Sequence, residues 1–168
     1  MFLKLMNDDE ALRIASNLEK EGYSFYTEAA SRTKNPRAKR FFTQLAQAEK
    51  RHLEIFENLR AKLPKKGGEP WWGEEDEVVS RYLSTIIDTG VFTKPGKKEK
   101  ARERALSDAE ALQIGIQTEK DSILFYSEAS RLCNNPKGKR AFKILMEEEK
   151  RHLTDLAQQL RNLKGTVS

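Results

Sequence analysis

Six side chains in this sequence are of types that bind metal ions, at spacings that would let them act together. Glu49 and His52 form a Glu-x-x-His step, Glu149 and His152 form another, and these two histidines are the only ones in the chain. A further acid, Glu19 or Glu119, precedes each step by about thirty residues. On an α-helix, residues three apart share a face, so each Glu-x-x-His can turn both side chains toward one ion. Four carboxylates and two imidazoles form a hard-to-borderline donor set, suited to iron or manganese and able to hold zinc. One such step on a charged helix is commonly a solvated face. Two of them, each following a further acid and together using every histidine, point to a site for two metal ions.

The surroundings of these residues repeat as well. A constant shift of 100 positions lays Asp8–Leu63 on Asp108–Leu163 without a gap and matches Tyr26 with Tyr126 and Asn35-Pro36 with Asn135-Pro136. It also matches the tetrapeptides Glu49–His52 and Glu149–His152. Followed at alternating steps of three and four, the seam of the first helix reads Leu12, Ala15, Glu19, Gly22, Tyr26, Ala29. The third reads Leu112, Gly115, Glu119, Ser122, Tyr126, Ala129. The second carries Phe42, Leu45, Glu49, His52, Phe56 and Leu59, and the fourth Phe142, Leu145, Glu149, His152, Leu156 and Leu160. Each seam is apolar except near its middle. Burying four carboxylates side by side is prohibitive unless they are protonated or meet positive charge. The seams hold no Lys or Arg, so two divalent cations would supply that charge. In this reading Glu49 and Glu149 bridge the ions, Glu19 with His52 completes one coordination sphere and Glu119 with His152 the other; which helix serves which ion is left open.

Neighbouring positions admit two readings each. Tyr26 and Tyr126 are either plain core aromatics or hydroxyl donors to the metal-binding carboxylates. Gly22 and Ser122 are expected to leave room beside the ions for a small oxidant. Glu148 and Asp121 fall close enough to act behind the ligands.

The elements that must position these residues are four long amphipathic helices. Asn7-Asp8-Asp9 offers an N-cap and acidic first turn for a helix to about Thr33, and Asn35-Pro36 breaks it and starts a second that runs to about Leu63. Ser107-Asp108 caps a third, Asn134-Asn135-Pro136 breaks it, and a fourth runs to about Leu163. Each half is thus an antiparallel helical hairpin. Between them, Val78, Val79, Tyr82, Leu83, Ile86 and Ile87 recur at helical spacing and predict a short helix over about Glu75–Thr89. Helices of ~25 residues are ~38 Å long, so hairpins packed about a two-fold axis need a connector of this length. The expected fold is all-α: a ferritin-like four-helix bundle of two repeated hairpins, one domain over 1–168, with repeats at 8–63 and 107–163 and a crossover at 64–106. The apolar face of the crossover helix should pack on the bundle or, preferably, across a homodimer. Trp71-Trp72 should anchor the crossover, make a dimer contact or dock a partner.

Composition agrees. The 168 residues are 38% hydrophobic and 34% charged, as in a soluble helical protein with charged outer faces. No apolar run approaches the ~20 residues of a membrane span. The N-terminal MFLKLMNDDE is too short for a secretory signal, which gives a cytoplasmic expectation. The net charge of +5 owes much to KPGKKEKARER, Lys94–Arg104, read as a solvated linker rather than a nucleic-acid contact. Cys133 is the only cysteine, so there is no internal disulfide and no Cys-x-x-Cys metal site.

The doubled pattern of Glu, about thirty residues, then Glu-x-Arg-His resembles the rubrerythrin branch of the ferritin-like superfamily, over both hairpins but not the crossover. The resemblance implies ligand roles for Glu19, Glu49, His52, Glu119, Glu149 and His152, a non-haem di-iron centre, and reaction with hydrogen peroxide or dioxygen. Three features depart from that family's pattern. Ser122 stands where those proteins carry an extra carboxylate used in a redox-dependent ligand switch. Ala48 and Glu148 stand where Asp usually holds a ligand histidine. With Cys133 alone, there is no rubredoxin-type site, so an external electron-donor protein is expected. The functional expectation is a di-iron oxidoreductase acting on peroxide or dioxygen. The alternatives are an iron-binding ferroxidase, or a bundle that a metal merely stabilises.

Overall fold

The computed structural model describes residues 6–64, 68–72, 76–91 and 106–165. Helix α1 spans Asp8–Arg32, α2 Pro36–Ala61, α3 Glu77–Thr89, α4 Asp108–Leu132 and α5 Pro136–Gly165. The described residues form an all-α four-helix bundle, with α3 as the additional crossover helix. The charged stretch Lys94–Arg104 lies outside them.

Local chemistry accounts for the helix starts. The Asn7 side chain accepts from the Glu10 amide at 2.9 Å, and acids fill the first turn of α1. Asn35 accepts from Arg37 and Ala38 ahead of Pro36, and Asn135 accepts from Lys137 and Gly138 in the same way. Ser107 and Glu110 form a reciprocal capping box on α4. The ends differ slightly from expectation. After Ala61, α2 closes in a turn in which Leu63 donates to the Arg60 carbonyl, whereas α5 continues to Gly165 because nothing intervenes.

Within each hairpin α1 packs along α2, and α4 along α5; the hairpins meet through α1 with α4 and α2 with α5. Both cross-hairpin pairs are antiparallel. Asp8 at the start of α1 accepts from the amides of Asn134 and Asn135 just beyond α4. Phe56, late in α2, packs on Phe142, early in α5, with ring centroids 5.3 Å apart. The end of α2 and the start of α4 therefore lie at opposite ends of the bundle, which is why a long crossover is needed.

The crossover is fastened at both described ends. The Trp71 indole donates to Asp8 at 2.8 Å, and its amide donates to the Met6 carbonyl. Beyond α3, the Val91 amide donates to Asp121 at 2.8 Å. Asp121 thus holds the crossover, not the candidate centre. On α3, Leu83 and Ile86 are buried against the bundle while Val78 and Tyr82 remain exposed. Burying an aliphatic side chain of this size stabilises by ~1.5–3 kcal/mol. No helix among the described residues is long and apolar enough to cross a membrane.

Candidate metal centre

Two apolar layers sandwich the middle of the bundle. One gathers Leu12, Phe56, Phe125, Phe142 and Leu145. The other gathers Phe25, Phe42, Leu45, Leu112 and Leu156. Between them the four seams bring Glu19, Glu49, His52, Glu119, Glu149 and His152 together, and all but His152 are buried. Their donor atoms fall into two groups. Glu19, Glu49, His52 and Glu149 make one, and Glu49, Glu119, Glu149 and His152 the other, with the atoms of each group within 4.8 Å of one another. Glu49 and Glu149 belong to both.

The two imidazoles lie nearly parallel, with centroids 5.9 Å apart. His52 Nδ1 is 3.0 Å from Glu149 and 3.4 Å from Glu19. His152 Nδ1 is 2.8 Å from Glu149, 3.7 Å from Glu49 and 3.9 Å from Glu119. The tyrosines act across the hairpins. Tyr26 Oη on α1 donates to Glu119 on α4 at 2.8 Å, and Tyr126 Oη on α4 donates to Glu19 on α1 at 2.5 Å. Of the two sequence readings, the donor role is the one the geometry has. Burial, reinforced by the charge of Glu119 for Tyr26 and of Glu19 for Tyr126, raises both phenols well above their ordinary range and keeps them protonated.

The carboxylates cannot all ionise with these protons alone. Burial, with the charge of Glu149 added, pushes Glu49 and Glu119 well above the usual range. Burial and the charge of Glu19 raise Glu149 to about 7. Glu19 goes the other way: burial opposes its charge, but hydrogen bonds led by His52 hold it below its ordinary value. Burial also opposes charge on His52, yet its bonds to Glu149 and Glu19 carry it up to about 11; at His152, burial prevails and lowers the value. Metal-free, the centre is a proton-sharing cluster, and cations would do the same neutralising work.

Two features fit the residues to metal ions. Glu19 Oε2 and Glu49 Oε1 are buried without a well-formed hydrogen bond, with His52 Nδ1 at 3.4 Å from the first and His152 Nδ1 at 3.7 Å from the second, so each keeps lone-pair capacity that an ion could use. At Gly22, an added Cβ would come within 2.7 Å of Glu49 Oε2. The space expected beside Gly22 for an oxidant is filled by the Glu49 carboxylate, and the glycine is what lets that carboxylate lie there. Gly115 does the same for Tyr26, whose hydroxyl would be 3.2 Å from an added Cβ.

Behind the ligands the halves differ. Glu148 on α5 reaches across to His52 Nε2 at 2.6 Å, whereas the matching position on α2 is the buried methyl of Ala48. Glu148 could be placed near the site from sequence, but its partner on the opposite hairpin could not. Asp8 was not foreseen beyond capping. It clasps α1, the α4–α5 turn and Trp71 together, and those hydrogen bonds hold it below its ordinary value despite burial.

The sequence pattern of the family described as Rubrerythrin matches residues 3–60 and 77–160. A solved structure from Thermotoga maritima, described as a candidate ferritin-like diiron-carboxylate protein, is similar at 28% identity and a TM-score of 0.72; the match covers 94% of this chain and 96% of that one. No curated protein matches the chain.

Proposed function

The chain belongs to the rubrerythrin family, and on that premise we propose that it is a di-iron oxidoreductase that reduces hydrogen peroxide with electrons from a separate donor protein. The observation that carries this reading is the pair of donor groups sharing Glu49 and Glu149. Two ions held this way would be bridged, each with its own glutamate and histidine: Glu19 and His52 for one, Glu119 and His152 for the other. The similar Thermotoga maritima structure, described as a diiron-carboxylate protein, supports iron over manganese or zinc.

Two ferrous ions would supply the two electrons that, with two protons, convert one hydrogen peroxide into two waters. The protein's own part is placement and protection. Glu49 and Glu149, shared by the two donor groups, would hold the pair together, and Tyr26 and Tyr126 fix the orientation of Glu119 and Glu19 by donating to one oxygen of each. The apolar layers above and below exclude water from both ends. With Cys133 the sole cysteine, the sequence has no rubredoxin-type iron site to return electrons, so turnover needs an external donor. Val78 and Tyr82 on the outer side of α3 would suit a homodimer contact, which sedimentation velocity tests.

The functional test is anaerobic loading with Fe(II), followed by stopped-flow mixing with peroxide or dioxygen at matched concentrations. Faster oxidation by peroxide, one round without donor and renewed turnover with a rubredoxin-type donor are expected. Equal or faster oxidation by dioxygen would replace the peroxidase reading with a ferroxidase one.

A further inference from the structure

The two halves of the centre repeat in their ligands and differ in what stands behind the histidines. Resting on the di-metal reading above, we propose that Glu148 is a positioning residue that makes the His52 position fill first and hold its metal tightly, while Ala48 leaves the His152 position as the weaker, exchanging one.

On the first side, both ring nitrogens of His52 are engaged. Nε2 bonds Glu148 Oε2 at 2.6 Å, while Nδ1 faces Glu149 at 3.0 Å and Glu19 at 3.4 Å. The Glu148 bond keeps a hydrogen on Nε2, so that when the Nδ1 hydrogen shared with Glu149 and Glu19 gives way to an ion, the Nδ1 lone pair is the one free to bind it. It also fixes the ring plane and makes Nδ1 a better donor to a metal. The His52 side chain is 1% exposed, so an ion bound there is enclosed.

On the second side, Nδ1 of His152 faces Glu149 at 2.8 Å, but no described residue accepts a hydrogen bond from its Nε2. The repeat places Ala48 where a carboxylate would have to be, and a methyl group offers no acceptor. The ring is 16% exposed, and among the described residues only Glu149 lies within hydrogen-bond distance of it. An ion there loses the backing carboxylate and gains an open edge. Both differences weaken holding and speed exchange. Both groups share Glu49 and Glu149 and each adds one glutamate and one histidine, so the difference in residue type lies behind the histidines, at positions 48 and 148.

The two histidines are the only ones in the chain, so their ring resonances report directly on which position fills. The metal-free full-length chain, with ring nitrogens labelled, is titrated with Zn(II) and followed by NMR of the imidazole signals, assigned through a His152→Gln variant. Calorimetry with Zn(II) runs in parallel. The first equivalent is expected to shift His52 and the second His152, with affinities at least about tenfold apart, since removing a backing partner of this kind costs about 10–100-fold. Exchanging the backing groups, Ala48→Glu with Glu148→Ala, is expected to send the first equivalent to His152. Ala48→Glu alone, which keeps the native support of His52, is expected to tighten the second step and bring the two together. Equal affinities in the native chain, a first equivalent on His152, or an exchange variant that leaves the order unchanged would overturn the proposal while leaving two metals per chain intact. Fewer than two metals per chain at saturation would take the di-metal reading down with it.

Discussion

The half of the centre built around His52 and the half built around His152 use the same residue types at matching positions of a repeat, yet their environments are unequal. His52 is enclosed and backed by Glu148; His152 sits at an edge, and the repeat mate of Glu148 is Ala48, whose methyl group offers no acceptor. The glutamates differ as well, since Gly22 yields its space to Glu49, whereas its repeat mate Ser122 keeps a side chain. The residues that contact one another in the middle have kept the two-fold pattern, and the shell behind them has diverged. A duplicated cluster can thus keep its donor residues identical while the residues around them differ.

The sharpest way to break the comparison is to remove a residue shared by both halves. Glu149 contributes to both donor groups, so Glu149→Ala should take metal content from two per chain to less than one. Glu28→Ala, on a residue that belongs to neither group, should leave it unchanged. Elemental analysis after reconstitution distinguishes them, and equal content in the two variants would remove the bridging role.

A smaller effect separates the matched small residues. Gly22→Ser would place a Cβ 2.7 Å from Glu49 Oε2, closer than a real contact allows, and should weaken metal binding by about 10–100-fold. The reciprocal Ser122→Gly change opens space and should cost less than tenfold. Calorimetric titration of both variants tests the difference, and a harmless Gly22→Ser would show that Glu49 can relocate freely.

The crossed tyrosines should respond unequally, because Tyr126 donates at 2.5 Å to Glu19, held below its ordinary value, whereas Tyr26 donates at 2.8 Å to Glu119, pushed above its own. Tyr26→Phe or Tyr126→Phe leaves one oxygen of a buried glutamate without its donor and should destabilise the metal-free protein by ~1–3 kcal/mol. Denaturant melts should show the larger loss for Tyr126→Phe; equal losses would mean that Glu19 and Glu119 hold charge alike.

The gentlest probe is pH on the metal-free protein. Glu149 titrates at about 7 in the fold, above its ordinary 4.5, so the stability associated with its neutral form is present below 4.5 and lost as pH rises through about 7. His52, raised from 6.5 to about 11, contributes stability that is full below 6.5 and lost as pH climbs toward 11. Both act in the same direction, so the metal-free Tm should fall from pH 5 to pH 9. Zn(II) loading should flatten that slope, because cations replace the protons. A metal-free Tm that rises over this range would contradict the proton-sharing arrangement.

Much of this molecule follows from rules that act within one turn of helix. The three-and-four spacing of Phe42, Leu45, Glu49, His52 and Phe56 determines one face, since every helix has 3.6 residues per turn. Asn7, Asn35, Ser107 and Asn135 determine helix starts because a cap bonds amides two or three residues away. The repeat then makes two hairpins, and four carboxylates and two imidazoles able to hold metal ions follow at one level. Which partner each side chain meets across the bundle was another matter. Tyr26 reaching Glu119, Glu148 reaching His52 and Asp121 turning to Val91 all depend on the axial offset and rotation of helices far apart in sequence. Periodicity leaves that offset and rotation free, and only the packing of Leu12, Phe56, Phe125 and Phe142 into one layer sets them. A periodic sequence could therefore name the ligands, but it took the packed bundle to decide that one histidine is held from behind and the other is not.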